Sequence, residues 1–169
     1  MRDQYAGDVT DLIKIAFLRA LCCNQGILGV AWYYAPGDDG RPDGRHLEWR
    51  MQLGWRQLDP ELFGALSSLP IRSVAALESL PIWPSGTLFH HEAMPLSSLR
   101  TAWATRMREA LTPATLVFLD PDNGLGSHRE KHATYEEVHA FGIPSGLRFS
   151  SHFQVELLMK YKSKIFTRN

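Results

Sequence analysis

The sequence predicts an α/β fold, a three-layer Rossmann-like architecture built around a mainly parallel sheet. Three observations carry that expectation. Continuous apolar runs at residues 27–36 and 115–119 suit strands buried on both faces. Segments with helical spacing alternate with the strands, the order that favours parallel α/β layers. The 169 residues contain no internal repeat and no low-complexity linker, which fits one domain with a substantial core. The expected organisation is a single α/β domain over residues 1–169, ending in a flexible basic tail from about residue 158.

The elements follow in order. Asp8 caps a first helix, and acids suit its positive end. Val9, Leu12, Ile13, Ala16, Phe17 and Ala20 share one helical face, and Ile15, Leu18 and Leu21 extend it, so a mostly buried helix is predicted. Asn24-Gln25-Gly26 stops it. "ILGVAWYYAP" (27–36) is a strand ended by Pro36, and "GDDGRPDGR" (37–45) is a loop by composition. Residues 59–69 and 72–80 read as short helices, the first opened by Asp59-Pro60. Residues 86–94 read as a strand. Ser97 or Ser98 is expected to cap a helix through Leu111, with Leu99, Trp103, Met107 and Ala110 or Leu111 as its inner stripe; Pro113 ends it. "TLVFL" (115–119) is the second buried strand. Thr134 and Glu137 form a capping-box pattern before residues 135–141. Residues 146–153 read as a last strand.

Composition narrows the function classes. Lys plus Arg and Asp plus Glu number 18 each, so overall charge does not drive nucleic-acid binding. Cys22 and Cys23 are adjacent and build no disulfide framework. The N-terminal residues lack a signal h-region and no apolar run reaches membrane length, so a cytoplasmic protein without a membrane partner is expected. Lys160, Lys162, Lys164 and Arg168 make the tail basic. It reads as a solvated end or as a local nucleic-acid contact.

Ligands of parallel α/β sheets sit beyond the carboxyl ends of the strands. Two strands here run into polar loops. After the first come Gly37, Asp38, Asp39, Asp43 and Arg45, where glycines admit a ligand to the backbone and carboxylates accept ribose hydroxyls or bind a hard cation. After the second come Asp120, Pro121, Asp122, Asn123 and Gly124. Pro121 stiffens the exit, Asp122 and Asn123 supply polar groups, and Gly124 permits a positive φ. Asp8 and Asp11 form a third acidic group, with a cap and an Asp11–Lys14 pair as its structural explanation. His128 and His132 are spaced i, i+4, but Arg129 and Lys131 between them favour a solvated loop. His90 and His91, adjacent on a strand, point to opposite faces.

The blocks "QYAGDVTDLIK", "LGVAWYYAPGDDGRPDGR", "LDPELF" and "LVFLDPDNGLG" resemble an uncharacterised family of small bacterial and phage proteins over roughly residues 4–140. More loosely, the layout is similar to class I methyltransferases, which use S-adenosylmethionine. Their amino-methylating branch ends a strand in Asp-Pro-Pro-aromatic. Here Asp120 and Pro121 match, while Asp122 and Asn123 replace proline and the ring. The loop at 37–44 stands where the cofactor loop would be, with different glycine spacing.

Two enzymatic expectations result. In the first, suggested by the resemblance, Gly37, Asp38, Asp39, Asp43 and Arg45 hold S-adenosylmethionine, and Asp120, Asp122 and Asn123 orient the nucleophilic nitrogen of a small molecule or nucleic acid. In the second, Asp8, Asp11, Asp120 and Asp122 gather Mg²⁺ for phosphoester hydrolysis, as in a nuclease. A non-enzymatic binding module is the third reading. The sequence does not set the oligomeric state.

Overall fold

The computed structural model describes residues 1–22, 26–37, 40, 46–126 and 132–141. The expected last strand at 146–153 and the basic tail lie outside them. The chain divides into two compact units, Met1–Asn24 with Ala35–Ser85, and Gln25–Tyr34 with Gly86–Asn169.

The second unit contains the sheet. Strand β1 is Leu28–Trp32, β2 is Leu88–His90 and β3 is Leu116–Asp120. Their order is β2-β1-β3, and both pairings are parallel. The α/β character read from the sequence is therefore present as mixed helix and strand with a parallel sheet. All five residues of β1 and of β3 are buried, the property that their unbroken apolar runs predicted. Strand β1 is shorter than the run at 27–36. Its partner β3 ends at Asp120, where the chain turns away through Pro121. The last link is the Tyr33 N–H donating to the Asp120 carbonyl at 3.4 Å.

Helix α5, Arg100–Ala110, joins β2 to β3 and packs on one sheet face. Trp103, Met107 and Leu111, spaced by four, meet Ala31, Tyr33, Val117 and Leu119. Burying Met107 and Leu111 stabilises the unit by about 1.5–3 kcal/mol each. Gly29 is required under this helix: a Cβ there would lie 2.8 Å from the Ala114 Cβ and 3.2 Å from Leu111 Cδ2. Two details of α5 differ from expectation. Ser97–Leu99 forms a 3-10 turn that runs straight into the helix, so neither Ser97 nor Ser98 caps it, and Leu99 sits at the N-cap. Leu99, on that turn, is exposed instead of joining the inner stripe.

The first unit is helical. Helix α1 is Val9–Cys22, followed by a 3-10 turn at Glu48–Met51, α2 at Leu53–Leu58, α3 at Pro60–Ser67 and α4 at Val74–Glu78. Asp59 caps α3 through the Leu62 N–H, with Pro60 in the first turn, as the sequence indicated. Ser73 caps α4. The buried face of α1 is Asp11, Leu12, Ile15, Leu18 and Cys22, whereas Ile13, Phe17 and Leu21 are exposed. The sequence offered two adjacent apolar arcs. Asp11 turns inward to accept the Gly7 N–H at 2.8 Å, and this contact favours the arc beside it.

Candidate functional site

Strand β3 delivers Asp120 to the carboxyl edge of the sheet, in register with Trp32 of β1. Asp120 is buried. The chain then turns through Pro121, Asp122 and Asn123. Asp122 is half-buried and Asn123 is exposed. Gly124 takes φ +74°, the left-handed conformation expected of it. The loop is then stitched to the entry of α6, Tyr135–His139. The Gly124 carbonyl accepts from the Ala133 N–H at 2.9 Å, and the Gly126 N–H donates to the Ala133 carbonyl at 3.0 Å. So the structure gathers Asp120, Asp122 and Asn123 at one strand exit.

A buried polar network supports the same edge. Thr134 and Glu137 form the predicted capping box: the Glu137 N–H donates to the Thr134 hydroxyl and the Thr134 N–H to Glu137 Oε2. Glu137 also accepts Arg100 Nε at 2.7 Å, Arg100 Nη2 at 3.0 Å and the Tyr33 hydroxyl at 2.9 Å. Arg100 reaches the His132 carbonyl as well. Its guanidinium lies 5.5 Å from the Tyr33 ring centroid and 5.9 Å from that of Trp103. Burial opposes the Arg100 charge, but the Glu137 carboxylate outweighs it and raises the pKa. Burial pushes the Tyr33 phenol well above its usual range, and Glu137 adds to the shift. An open cavity of about 440 Å³ lies beside this network, between α5 and α6, with Arg100, Thr101, Ala104, Arg108, Thr134 and Glu137 in its wall.

His90 ends β2 on the α5 side. It is buried, its ring meets Trp103 edge-on at 5.3 Å, and its Nε2 has no hydrogen-bond partner among the described residues. Burial lowers its pKa; Glu92 works against that, while His91 and Arg106 add to it. His91 lies one residue beyond the strand, shorter than the expected 86–94, and is exposed.

The other candidates are placed as follows. Gly37, in the first unit, takes φ +85°, and its carbonyl accepts from Arg2 at 3.4 Å. Asp38, Asp39, Asp43 and Arg45 lie outside the described residues, as does His128. Asp8 Oδ1 accepts from the Thr10 N–H, the Thr10 hydroxyl and the Asp11 N–H at 2.8, 2.5 and 3.1 Å. Asp11 Oδ1 lies 3.5 Å from Lys14 Nζ. These oxygens are engaged in capping and pairing. Among the described residues, no three His, Cys, Asp or Glu side chains gather in a form that would hold a metal ion.

Sequence reasoning did not find Tyr33 or Arg100, and it gave His90 only as a strand residue. Tyr33 was visible only as one aromatic in an apolar run, and Arg100 as one of several arginines near the start of a helix. Their meeting at Glu137 spans 104 and 37 residues, a separation that no local pattern encodes. No family model, curated protein or solved structure matches the chain.

Proposed function

We propose that this is a methyltransferase-like domain that binds S-adenosylmethionine and an amine substrate at the carboxyl edge of β1 and β3. One observation carries the reading. The strand ending in Asp120-Pro121 is the direct parallel neighbour of β1, while β2 pairs on the other side of β1. The chain therefore runs from β1 to β2 on one side and then crosses back to β3 on the other, the strand arrangement that puts a topological switch point between β1 and β3. Open α/β sheets bind ligands at that point. The buried Asp120 carboxylate and the exposed Asn123 amide stand at its exit. There they would accept hydrogen bonds from a substrate nitrogen and aim its lone pair. The cofactor would supply the electrophilic methyl group. The roles of Gly37, Asp38, Asp39, Asp43 and Arg45 toward the cofactor are proposed from the sequence alone.

Thermal unfolding with S-adenosylmethionine, S-adenosylhomocysteine and Mg²⁺ tests the reading. A ligand bound only to the folded state at a hundred times its Kd stabilises by about 2.7 kcal/mol. Stabilisation by both sulfur nucleosides is expected. Stabilisation by Mg²⁺ alone, abolished by Asp120→Asn, would replace this reading with the phosphoester hydrolase. The absence of any shift would leave a binding module for another ligand.

A further inference from the structure

Asn123 and Gly124 are the one asparagine–glycine pair of the chain. In such a pair the glycine nitrogen stands close to the side-chain amide carbon of asparagine, and glycine has no Cβ to hinder its approach. Asparagine is also among the heat-labile residues. Asn24, by contrast, precedes Gln25, whose side chain crowds the equivalent nitrogen.

The structure leaves both reacting groups of the pair open. Asn123 is exposed, in the turn it forms with Asp122, and among the described residues nothing bonds its side chain. The stitch between this loop and α6 uses the Gly124 carbonyl and the Gly126 N–H, and the Gly124 N–H is not a donor in it. Gly124 itself sits at φ +74°. A hydrogen bond on either group would hold the amide carbon and the nitrogen apart, and neither group carries one.

We propose that Asn123 is a site of non-enzymatic modification, at which the amide is lost as ammonia and aspartate or isoaspartate takes its place. The Gly124 nitrogen gives up its proton and attacks Asn123 Cγ. The new N–Cγ bond closes a cyclic imide. The bond from Cγ to the side-chain nitrogen breaks, and ammonia leaves with a proton in place of the one Gly124 gave up. Water then opens the imide. Attack at Cγ gives aspartate; attack at the main-chain carbonyl gives isoaspartate, whose backbone runs through Cβ. One water enters and one ammonia leaves, and no oxidant or reductant is needed.

Either product changes the strand exit. A new carboxylate joins Asp120 and Asp122, and isoaspartate lengthens the backbone just before the Gly124 link to Ala133. The consequence for activity rests on the proposed function. A substrate amine must offer a lone pair there, and added negative charge favours its protonated form, which has none. The modified chain therefore transfers methyl more slowly than the fresh chain.

Incubation of the full chain at neutral and mildly alkaline pH, followed by tryptic mapping with mass spectrometry, tests the site. Arg108 and Arg129 bound a peptide in which Asn123 is the only asparagine. A heavier form of this peptide, with NH2 replaced by OH, is expected in two chromatographic peaks, growing with time and faster at alkaline pH. Asn123→Gln should abolish the shift, because its longer side chain closes a ring far more slowly. Its circular dichroism should be unchanged, since the position is exposed. A native chain that stays unmodified while the urea-unfolded chain converts would overturn the proposal, because the folded turn would then hold the amide away from Gly124. A heavier peptide in Asn123→Gln as in the parent would overturn it too. The mass readout involves no methyl transfer, so it separates the two readings. Conversion without any transfer by the fresh chain supports the modification and sinks the proposed function. Transfer that stays constant while the chain converts overturns the consequence drawn for activity.

Discussion

The Tyr33 hydroxyl donates to the Glu137 carboxylate at 2.9 Å, tying the exit of β1 to the start of α6. The same carboxylate holds Arg100 of α5. One buried acid therefore fastens three elements on which the candidate site depends. Removing different partners has different costs. Tyr33→Phe leaves Glu137 with Arg100 and the Thr134 N–H, so the loss is one hydrogen bond, about 1 kcal/mol. Arg100→Ala leaves a buried carboxylate without its cation, a loss of about 3–5 kcal/mol. Urea unfolding of the two variants should give that order, and equal losses would refute the network as described.

His90 gives a pH dependence of definite sign. Its imidazole is lowered by burial, so the folded chain holds the proton less tightly than the unfolded chain does. Between the lowered value and the unfolded value of about 6.5, the unfolded state binds more protons, and stability rises with pH. The contribution of neutral His90 is complete above that range and is lost as pH falls through it. Unfolding midpoints measured from neutral to mildly acid pH should fall, and His90→Gln should flatten part of the slope. An unchanged slope in that variant would assign the dependence to other groups.

How much was legible follows the range of each interaction. Asp59-Pro60 and Thr134 with Glu137 were readable because a cap involves neighbours three residues apart. The strands at β1 and β3 were readable because burial of every residue demands an unbroken apolar run. The inward face of α1 was not, since two apolar arcs lay side by side and the Asp11–Gly7 contact was invisible. The segment 48–58 gave no sequence signal, because a helix with no buried residue has no buried stripe to read. At the candidate site, the acids after β3 were visible as an apolar run meeting Asp-Pro-Asp-Asn. The Arg100–Glu137–Tyr33 support was not, because it joins distant parts of the chain.

Gly29 offers a packing test. Its place under α5 leaves no room for a methyl, since both close neighbours, the Ala114 Cβ and Leu111, are themselves buried. Gly29→Ala must push α5 and its C-terminal turn away from β1, at a cost of about 1–3 kcal/mol. Gly64→Ala is the control, because nothing lies within 4 Å of a Cβ there. It sits in helix α3, where alanine is favoured over glycine by roughly 0.5–1 kcal/mol. Opposite signs of the two changes in unfolding midpoint are expected, and a neutral Gly29→Ala would show that the helix seat is looser than these distances indicate.

Asp120→Asn separates holding the fold from handling a substrate. Asparagine keeps the shape of the buried side chain, so the unfolding midpoint should move little unless the charge itself is structural. Under the proposed function the charged carboxylate orients the substrate nitrogen, and misdirecting a reacting group costs about a hundredfold in rate. The variant should therefore keep the thermal shift with S-adenosylmethionine while losing methyl transfer to an amine substrate by about that factor. Asn123→Ala, at an exposed position, should also slow transfer without moving the midpoint. If Asp120→Asn instead unfolds the chain and Asn123→Ala leaves transfer intact, the strand exit is a structural turn and the methyltransferase-like reading loses its substrate clamp.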